Sequence, residues 1–542
     1  MALSEVPAHE LLERLHENPQ DEDLVREISK RIDTQAHHGE LSKAVYSKLG
    51  KKPTWTNCIG RQGCSPKQML QPTSRQDLVN AVKEAGSKGW HVRAVGSGHS
   101  FSNVCPTDGI LLDPQGMKQV LRVDASILND PSKASLLFSA ESGITIKQLN
   151  KELDKQHLAL VNMGAYDGQT LAGAISTGTH GTGISLGPIA SSVRSLVLVS
   201  DTGTIYQIEP SNGITDAAKF ANAMPGMVLK QDDDWFQSNV VAMGCMGLIY
   251  SYTLEVTPAY LLSEERVLDT WEGLTTRTGN DSLSGWLANP EVRHFEVDIN
   301  PYAIGGYHTC IKVIRRVDKG KIRGSRGIEN WLSGILASCP VADWLVVHFL
   351  NEWPSVSKSI INSALKTLVD SGYVDKSYKV MNIGAVDNVK AMALELSFDA
   401  TGATMGSTKL INQINDLLAV FAQEAAEKNW YLAGPVALRF VGAADAYLAP
   451  QAGRVTCMAE LDLLVGITNG EKLLAEVKKA LCKPGSGVRV HWGLDLDTVS
   501  GDEVPNIFPQ YKRWLSVYKQ LNSSGMFNSV FTDRLGISVT KS

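Results

Sequence analysis

Hydrophobic and polar positions follow different patterns in three stretches of the chain. In the first fifty residues, Leu11, Leu12 and Leu15 recur at helical spacing among many charged residues, which predicts a helical N-terminal extension. From Thr54 onwards, short runs such as GILLDP, SLVLVSDTGTIYQIEP and GLIYSYTLEVTP are separated by glycines, a pattern typical of strands. Amphipathic segments lie between these runs. Residues 53–258 are therefore predicted to form an α+β domain.

The segment SRQDLVNAVKEAGSKG is the clearest amphipathic helix of this domain, with Ser74 placed to cap its start and Gly86 to end it. After Pro258, strand-like runs alternate with longer helical segments such as KLINQINDLLAVFAQEAAEKN, which predicts a second α+β domain. The expected organisation is an extension (1–52), a first domain (53–258), a second domain (259–504) and a C-terminal segment (505–542) packing back on the first.

The length and charge of the chain exclude some classes of protein function. A chain of 542 residues exceeds what one hydrophobic core usually supports, so two lobes with a cleft between them are expected. A net charge of -5 provides no basic field for a phosphate backbone, and nucleic acid is not an expected partner. The longest apolar runs fall short of the roughly 20 residues that span a bilayer. The acidic N-terminus does not resemble a secretory signal, which favours an intracellular, cytoplasmic protein without a membrane-integral segment.

Two glycine-rich loops carry the candidate chemistry. In HVRAVGSGHSFSN, a predicted strand ends at Gly96, Ser97 and Gly98, followed by His99 and Ser100. Glycines allow a tight turn and bring backbone N–H groups close to a diphosphate, although a plain β-turn is the alternative. The loop lacks the third glycine of GxGxxG, so a Rossmann nicotinamide site is not favoured. The second loop offers backbone and hydroxyl donors with little side-chain bulk, at Gly173, Ser176, Thr179, His180 and Gly183.

The second loop also contains GISLG, which formally matches the nucleophile elbow of serine hydrolases and makes Ser185 a remote alternative nucleophile. An elbow needs a hydrophobic strand directly before it. Here a loop of glycines and threonines precedes Ser185, which disfavours that hypothesis.

Four motifs follow one another over about two hundred residues: WTNCIGRQGCSPKQMLQPTSRQDLVNAV, VGSGHSFS, TLAGAISTGTHGTG and MGLIYSYTLEVTP. Together they resemble the PCMH-type FAD-binding domain of the vanillyl-alcohol-oxidase superfamily, and most closely its branch of sugar-1,4-lactone and alditol oxidases. The resemblance implies a two-lobed α+β fold, with the FAD-binding domain followed by an α+β substrate (cap) domain built on an antiparallel sheet.

The resemblance also assigns roles to particular residues. His99 matches the histidine that is bonded covalently to the 8α-methyl carbon of FAD, a role that suits a neutral imidazole acting as nucleophile. Thr170 matches a small hydroxyl position that faces the substrate. The remaining matches imply contacts to the cofactor from Gly96, Ser97, Gly98, Ser100, Gly173, Ser176, Thr179, His180, Gly183 and Ile249. No metal is implied.

The C-terminal half departs from the family pattern. PVALRFVGAADAYLAP and VRVHWGLDLD match the family's E-x-R and HWGK motifs, but the glutamate is replaced by Ala437 and the lysine by Leu494, while Arg439 is retained. Loss of two charged groups predicts a more apolar pocket. Glu395 and Glu296, on predicted strands, are candidates to replace the lost carboxylate.

Three residues of this half are candidates for catalysis, and two of them have a structural alternative. Arg439 is expected to stabilise negative charge during the reaction, or else to form a buried salt bridge. His491 is the candidate base. Trp492 is expected beside the flavin, or else packed in the core.

The resulting hypothesis is an FAD-dependent oxidase. A hydride passes from a C–OH group of a small-molecule alcohol to flavin N5, and dioxygen reoxidises the flavin to give hydrogen peroxide. The substrate is expected to be less polar than an alditol or aldonolactone, with a secondary metabolite as one option. The alternatives are a sugar-lactone or alditol oxidase or dehydrogenase proper, a flavoprotein with a degenerate substrate site, and the serine hydrolase. The sequence does not predict the oligomeric state.

Overall fold

The computed structural model describes Arg14 and residues 50–52, 54–338, 345–384 and 390–540. The helices predicted for the N-terminal extension therefore lie outside the described residues, except for Arg14. Helices and strands that follow are numbered from residue 54 onwards.

The first lobe contains a small parallel sheet and a larger mixed sheet. Its strands are β1 Trp55–Thr56, β2 Gly63–Cys64, β3 Gln68–Leu70, β4 Val92–Ala94, β5 Ile110–Leu112, β6 Val120–Leu121, β7 Leu137–Glu141, β8 Leu158–Ala159, β9 Val193–Val199, β10 Ile205–Glu209, β11 Met227–Gln231, β12 Leu248–Glu255 and β13 Thr257–Pro258. The parallel sheet has the order β3-β5-β4, and the mixed sheet has the order β11-β10-β9-β12-β7-β6. Its helices are α1 Arg75–Lys88, α2 Ile146–Lys155, α3 Leu171–Thr177, α4 Ala217–Ala223 and α5 Asp233–Val240.

Helix α1 shows how local sequence sets the elements of this lobe. The Ser74 side chain accepts a hydrogen bond from the Asp77 N–H, which confirms the predicted cap. The helix does not end at Gly86, as predicted, but continues to Lys88. Gly89 ends it because this residue adopts a left-handed backbone with φ of 64°, which glycine tolerates without steric cost.

The second lobe is built on one antiparallel sheet of eight strands, in the order β17-β14-β16-β15-β19-β20-β18-β21. The strands are β14 Leu261–Thr270, β15 His294–Ile299, β16 Thr309–Asp318, β17 Asp370–Lys376, β18 Ala391–Asp399, β19 Val436–Val441, β20 Thr456–Leu464 and β21 Arg489–Val490. Its helices, with those of the C-terminal segment, are α6 Trp271–Thr276, α7 Leu283–Ala288, α8 Trp331–Ser338, α9 Val346–Glu352, α10 Ser357–Thr367, α11 Ser377–Met381, α12 Thr408–Lys428, α13 Gly470–Leu481, α14 Val504–Ile507, α15 Tyr511–Leu521 and α16 Val530–Arg534. The predicted α+β class with an antiparallel sheet is confirmed.

The C-terminal segment returns to the first lobe. Helix α15 packs against α5, and the Val92 N–H of β4 donates a hydrogen bond to the Met526 carbonyl oxygen at 2.9 Å. The far end of the chain therefore supports the strand that leads into the loop carrying His99. Within the ranges that the structure describes, we find no helix that is both long and apolar enough to cross a membrane.

Candidate cofactor and substrate cavity

A cavity of about 260 Å³ lies between the two lobes. One wall comes from the first lobe, chiefly the loop after β4 and the start of α3, and the opposite wall comes from the cap sheet and the turn after β21. The first-lobe wall includes Gly96, Ser97, Gly98, His99, Ser100, Tyr166, Thr170, Gly173, Thr179 and His180. The cap wall includes Glu395, Arg439, Glu460, Asp462, His491 and Leu494. Most of the predicted site residues therefore meet in one place.

A second, narrower cavity continues from the first into the interior of the first lobe, and the two share Gly96, Thr170 and Gly173 as lining residues. Ser176 and Ile249 line its deeper part. Together the two cavities form a channel that brings together predicted cofactor residues from both glycine-rich loops and from β12.

The polar groups of this channel fit FAD. Among the described residues, the backbone N–H groups of residues 96–100 have no hydrogen-bond partner. The Ser142 hydroxyl, which lines the narrower cavity, is fully buried and also lacks a partner. Buried donors are normally satisfied, so these groups are available to a ligand rich in acceptor oxygens, such as a diphosphate.

Two backbone segments approach each other so closely at Gly96 that no side chain fits there. A Cβ atom on Gly96 would lie 2.3 Å from the Thr170 Oγ1 atom. That oxygen is fixed because it accepts a hydrogen bond from the Gly173 N–H as the N-cap of α3, and Thr170 is only 1% exposed. Glycine at position 96 thus lets the loop after β4 lie directly against the start of α3.

The His99 ring lies in the cavity beside Tyr166, with 4.2 Å between ring centroids. Burial lowers the pKa of His99 below its ordinary value, so the imidazole is neutral near pH 7. A neutral ring has a free lone pair, which is the form that a nucleophile needs. The placement and protonation of His99 therefore suit the predicted attachment to FAD.

The His99 loop is bound to the turn after β21 in the cap lobe. The Phe101 N–H donates to the Gly493 carbonyl oxygen at 2.7 Å. The Asn103 N–H donates to Asp497 Oδ1 at 2.6 Å. These contacts join the two walls of the cavity.

The cap wall is a row of charged side chains that are aligned across neighbouring strands. Ala437 on β19 pairs in register with Asp298 on β15 and with Glu460 on β20, and Glu460 pairs with Glu395 on β18. Side chains of paired residues lie on the same face of a sheet. Ala437 is therefore flanked by carboxylates on both sides.

Arg439 is held by a buried network of alternating charges. Its Nε atom donates to Glu296 at 3.0 Å, and its other end pairs with Glu460. Glu296 in turn accepts from Arg315 at 3.1 Å, and Arg315 donates to Glu264 at 2.7 Å. The two expectations for Arg439 are thus combined, because the guanidinium forms a buried salt bridge and also lines the cavity. Glu296 supports it from behind instead of lining the cavity.

Glu395 forms an ion pair with His180 inside the cavity wall. His180 Nε2 lies 3.0 Å from a Glu395 carboxylate oxygen, and His180 Nδ1 lies 2.8 Å from the Gly181 carbonyl oxygen. Burial opposes the charge on both groups, but each favours the charge of its partner. The net result is a raised pKa for His180 and a lowered pKa for Glu395. The Glu395 carboxylate therefore favours the protonated form of His180 beside the cap sheet.

The structure places His491 in the cavity wall, but its surroundings do not suit a base. Its Nδ1 atom accepts from the Gly493 N–H at 3.2 Å, and its ring also hydrogen-bonds to the Gly178 backbone. Burial lowers its pKa to about 4. A ring with both nitrogens engaged and so low a pKa accepts a proton poorly near neutral pH.

Besides Glu296, two predicted site residues, Trp492 and Gly183, do not line either cavity. Trp492 is fully buried, stacks on Phe508, and donates from Nε1 to the Leu448 carbonyl oxygen at 2.6 Å. This is its alternative role in the core. Gly183 has a φ of 124°, and its N–H donates to the Phe440 carbonyl oxygen at 2.6 Å, so this glycine joins the second loop to the cap sheet.

The serine-hydrolase alternative lacks structural support. Ser185 is exposed in a turn, neither preceded by a strand nor followed directly by a helix. A larger groove of about 1200 Å³ exists elsewhere on the molecule, but none of the candidate site residues lines it. Its Arg194 already pairs with Glu255.

Sequence reasoning missed Glu460, Asp462 and Tyr166. The segment TCMAELDLL is apolar except for two acids that lie two residues apart, which is a detectable signal because it places both carboxylates on one face of a buried strand. Burial, together with the neighbouring Glu460, raises the pKa of Asp462 well above its ordinary value, which favours the protonated carboxyl group, the form that is able to donate a hydrogen bond.

Comparison with known proteins agrees with this geometry. Residues 66–209 match the model of the FAD binding domain. Residues 253–535, more than half of the chain, match the model described as D-arabinono-1,4-lactone oxidase. The chain belongs to the D-arabinono-1,4-lactone oxidase family. It is an FAD-dependent oxidoreductase of that family, within the superfamily and branch that the motifs indicate.

Individual relatives and solved structures give the extent of the likeness. L-gulono-1,4-lactone dehydrogenase of Mycobacterium tuberculosis is 25% identical over 89% of this chain and 99% of its own length. L-gulonolactone oxidase of Mus musculus is 35% identical over 43% of this chain and 46% of its own length. Cholesterol oxidase from B. sterolicum superposes with a TM-score of 0.64 at 14% identity, covering 86% of this chain and 93% of that structure, a likeness of fold.

Proposed function

We propose that this protein holds FAD covalently through His99 and oxidises a C–OH group of a polyhydroxylated sugar lactone, with dioxygen as electron acceptor and hydrogen peroxide as product. The observation that carries the proposal is that the His99 loop and the charged cap wall meet in one cavity. Bound FAD supplies the two-electron acceptor. The chain's own residues bind, orient and polarise the substrate.

The lining of the cap wall favours a substrate with several hydroxyl groups. The uncharged Ala437 and Leu494 predict a less polar substrate, and Leu494 does line the cavity. Glu395, Glu460 and Asp462 line it as well, however, and contribute more polar surface than one lost glutamate removes. Buried polar groups that bind hydroxyls discriminate strongly against ligands lacking them. We therefore favour the lactone over an apolar alcohol.

Arg439 is the group best suited to assist the reaction. Its planar cation is fixed by Glu296 and Glu460 and faces the cavity. A preorganised cation stabilises negative charge that develops on the hydroxyl oxygen as the C–H bond breaks. Thr170, at the opposite wall, presents a small side chain next to the His99 loop. We assign no part in the reaction to Trp492, and His491 serves to shape the turn after β21.

The test combines flavin retention with a substrate panel. Acid-precipitated wild-type protein should keep yellow, fluorescent flavin in the pellet, whereas the His99→Ala pellet should be colourless. Peroxide release should be observed with D-arabinono-1,4-lactone or L-gulono-1,4-lactone, and not with an alkyl alcohol that carries a single hydroxyl. Release of flavin from the wild type by acid would reject the tether. Turnover of lactone only with an added dye acceptor would replace oxidase by dehydrogenase.

A further inference from the structure

The cap wall contains two carboxylates that face each other directly across strands β18 and β20. Glu395 and Glu460 are paired in register, and like charges in this position destabilise a sheet. Each is paired with a basic side chain, however. Glu395 pairs with His180, and Glu460 pairs with Arg439, which also holds Glu296. These two basic side chains offset the repulsion between the carboxylates at the cavity.

The two carboxylates differ in how far they are exposed to the cavity. The Glu395 side chain is only 3% exposed. The Glu460 side chain is 23% exposed, toward the cavity that it lines. Arg439 contacts Glu460 through Oε2, and among the described residues no hydrogen-bond donor reaches Oε1. Glu460 thus presents a free acceptor oxygen to whatever occupies the cap side of the cavity.

The surroundings of Glu460 provide space and a complementary donor. Its partner on β19 is Ala437, whose methyl group leaves room at the centre of the row between Asp298 and Glu460. Asp462, two residues along the same strand and therefore on the same face, also lines the cavity. The Asp462 carboxyl group, whose raised pKa favours the protonated form, is able to donate where Glu460 accepts. A hydroxyl group, which is both donor and acceptor, satisfies both.

We infer that Glu460 orients the substrate by accepting a hydrogen bond from a ring hydroxyl of the lactone, next to Arg439 and Asp462. This inference rests on the proposed function for the identity of the ligand. Position 437 on β19 has alanine where the family pattern has glutamate. Glu460, its partner on the neighbouring strand β20, then supplies the carboxylate in its place.

The experiment uses the flavin-loaded protein and compares Glu460→Gln with wild type. Glutamine keeps the size of the side chain but removes its charge. We expect KM for the lactones to rise about 10- to 100-fold, because a charged acceptor is replaced by a neutral one, and kcat to change less than KM, because Glu296 still holds Arg439. Inhibition by γ-butyrolactone, which has no hydroxyl, should stay unchanged. Glu265→Gln is the matched control, since Glu265 is an exposed, ion-paired carboxylate on β14.

A charge exchange provides the second test. The Ala437→Glu/Glu460→Ala double variant moves the carboxylate back across the strand pair at nearly constant volume. It should lower KM at least tenfold relative to Glu460→Ala alone. A wild-type KM in Glu460→Gln, or loss of kcat without a change in KM, would overturn the inference. If Glu460→Gln fails to load flavin, Glu460→Asp decides: the shortened carboxylate should raise KM several-fold, and an unchanged KM refutes the role.

Calorimetry under nitrogen separates this inference from the proposed function. If the wild type binds D-arabinono-1,4-lactone without oxidising it, and Glu460→Gln does not bind it, the inference holds and the proposed reaction fails. If the wild type oxidises the lactone and Glu460→Gln binds it equally well, the reaction stands and the inference fails. No binding by the wild type would refute both.

Discussion

The two walls of the cavity reach their shape by different physical means. The first-lobe wall at residues 96–100 consists mainly of backbone and small hydroxyl groups. It packs closely because Gly96 has no side chain, and there is no room for a Cβ atom between Gly96 and the start of α3. On the cap wall, by contrast, long side chains on β18, β19 and β20, namely Glu395, Arg439 and Glu460, are each held by an ion-pair partner. A backbone wall is sensitive to any added atom. Removing a charge from the cap wall leaves the opposite charge unpaired. A carboxylate missing from one strand of this wall can also be supplied by a neighbouring strand.

The largest effect is expected from adding one carbon atom to the backbone wall. In Gly96→Ala, the new methyl group lies 2.3 Å from Thr170 Oγ1, which its capping bond and burial hold in place. The loop must shift, and bound flavin per protein should fall more than tenfold in absorbance spectra. In Gly96→Ala/Thr170→Ala the contact is relieved, because Thr170 Cβ is 3.5 Å away. Flavin content should therefore recover, despite a capping loss of about 1 kcal/mol. Full flavin content in the single variant would contradict this account.

Removing the central cation of the charged wall should have the next largest effect. Arg439→Met leaves Glu296 and Glu460 without their shared partner. We expect kcat/KM for the lactone to fall about 10²- to 10³-fold, and the free energy of unfolding to drop by roughly 3–5 kcal/mol. Arg439→Lys is the control: it keeps the charge but lacks the fork that contacts both carboxylates, and should fall in between. Wild-type rates in the methionine variant would remove Arg439 from the reaction.

The Glu395–His180 pair should make stability depend on pH. The pKa of Glu395 is lowered from 4.5, so its contribution is present above that pH and is lost as pH falls. The pKa of His180 is raised from 6.5, so its contribution is present below that pH and is lost as pH rises through the raised value. The pair therefore contributes most to the stability of the folded protein between pH 4.5 and pH 6.5. Glu395→Gln should lower Tm by about 5 °C or more near pH 5.5 and by less at pH 9. A pH-independent difference in Tm would contradict the ion pair.

The smallest effect on the reaction is expected at Trp492. Trp492→Phe loses the hydrogen bond to Leu448 and part of the contact with Phe508, which should lower stability by about 1–3 kcal/mol. Because the side chain does not line the cavity, KM and kcat for the lactone should stay within about twofold of wild type. A large change in either constant would show that Trp492 reaches the cavity, and would contradict its place in the core.

The sequence was informative where a feature depends on consecutive residues. The glycines before His99 and the N-cap at Ser74 are local, so the pattern of letters was sufficient to predict them. The cap wall depends on register: Glu460 acts with Ala437, Glu395 and Arg439 only because β18, β19 and β20 align in one particular way. A shift by one residue would turn every one of these side chains to the other face. The E-x-R motif taken alone therefore indicates the loss of a glutamate at Ala437, but it does not indicate Glu460 on the neighbouring strand. The length of α1 was misjudged for a related reason, since Gly86 tolerates a helical backbone.

The hydrogen bond from the Phe101 N–H to the Gly493 carbonyl oxygen has a consequence for biosynthesis. The neighbouring Ser100 and Gly493 are 393 residues apart in the chain. At about 5–20 residues per second, translation needs roughly 20–80 s to pass from one to the other. Once residue 258 has been made, a nascent chain contains β1 to β13 but not the turn after β21 that the His99 loop contacts. A chain terminated before residue 493 would lack the Gly493 carbonyl oxygen that accepts from Phe101, and its histidine would lie on a loop without that support.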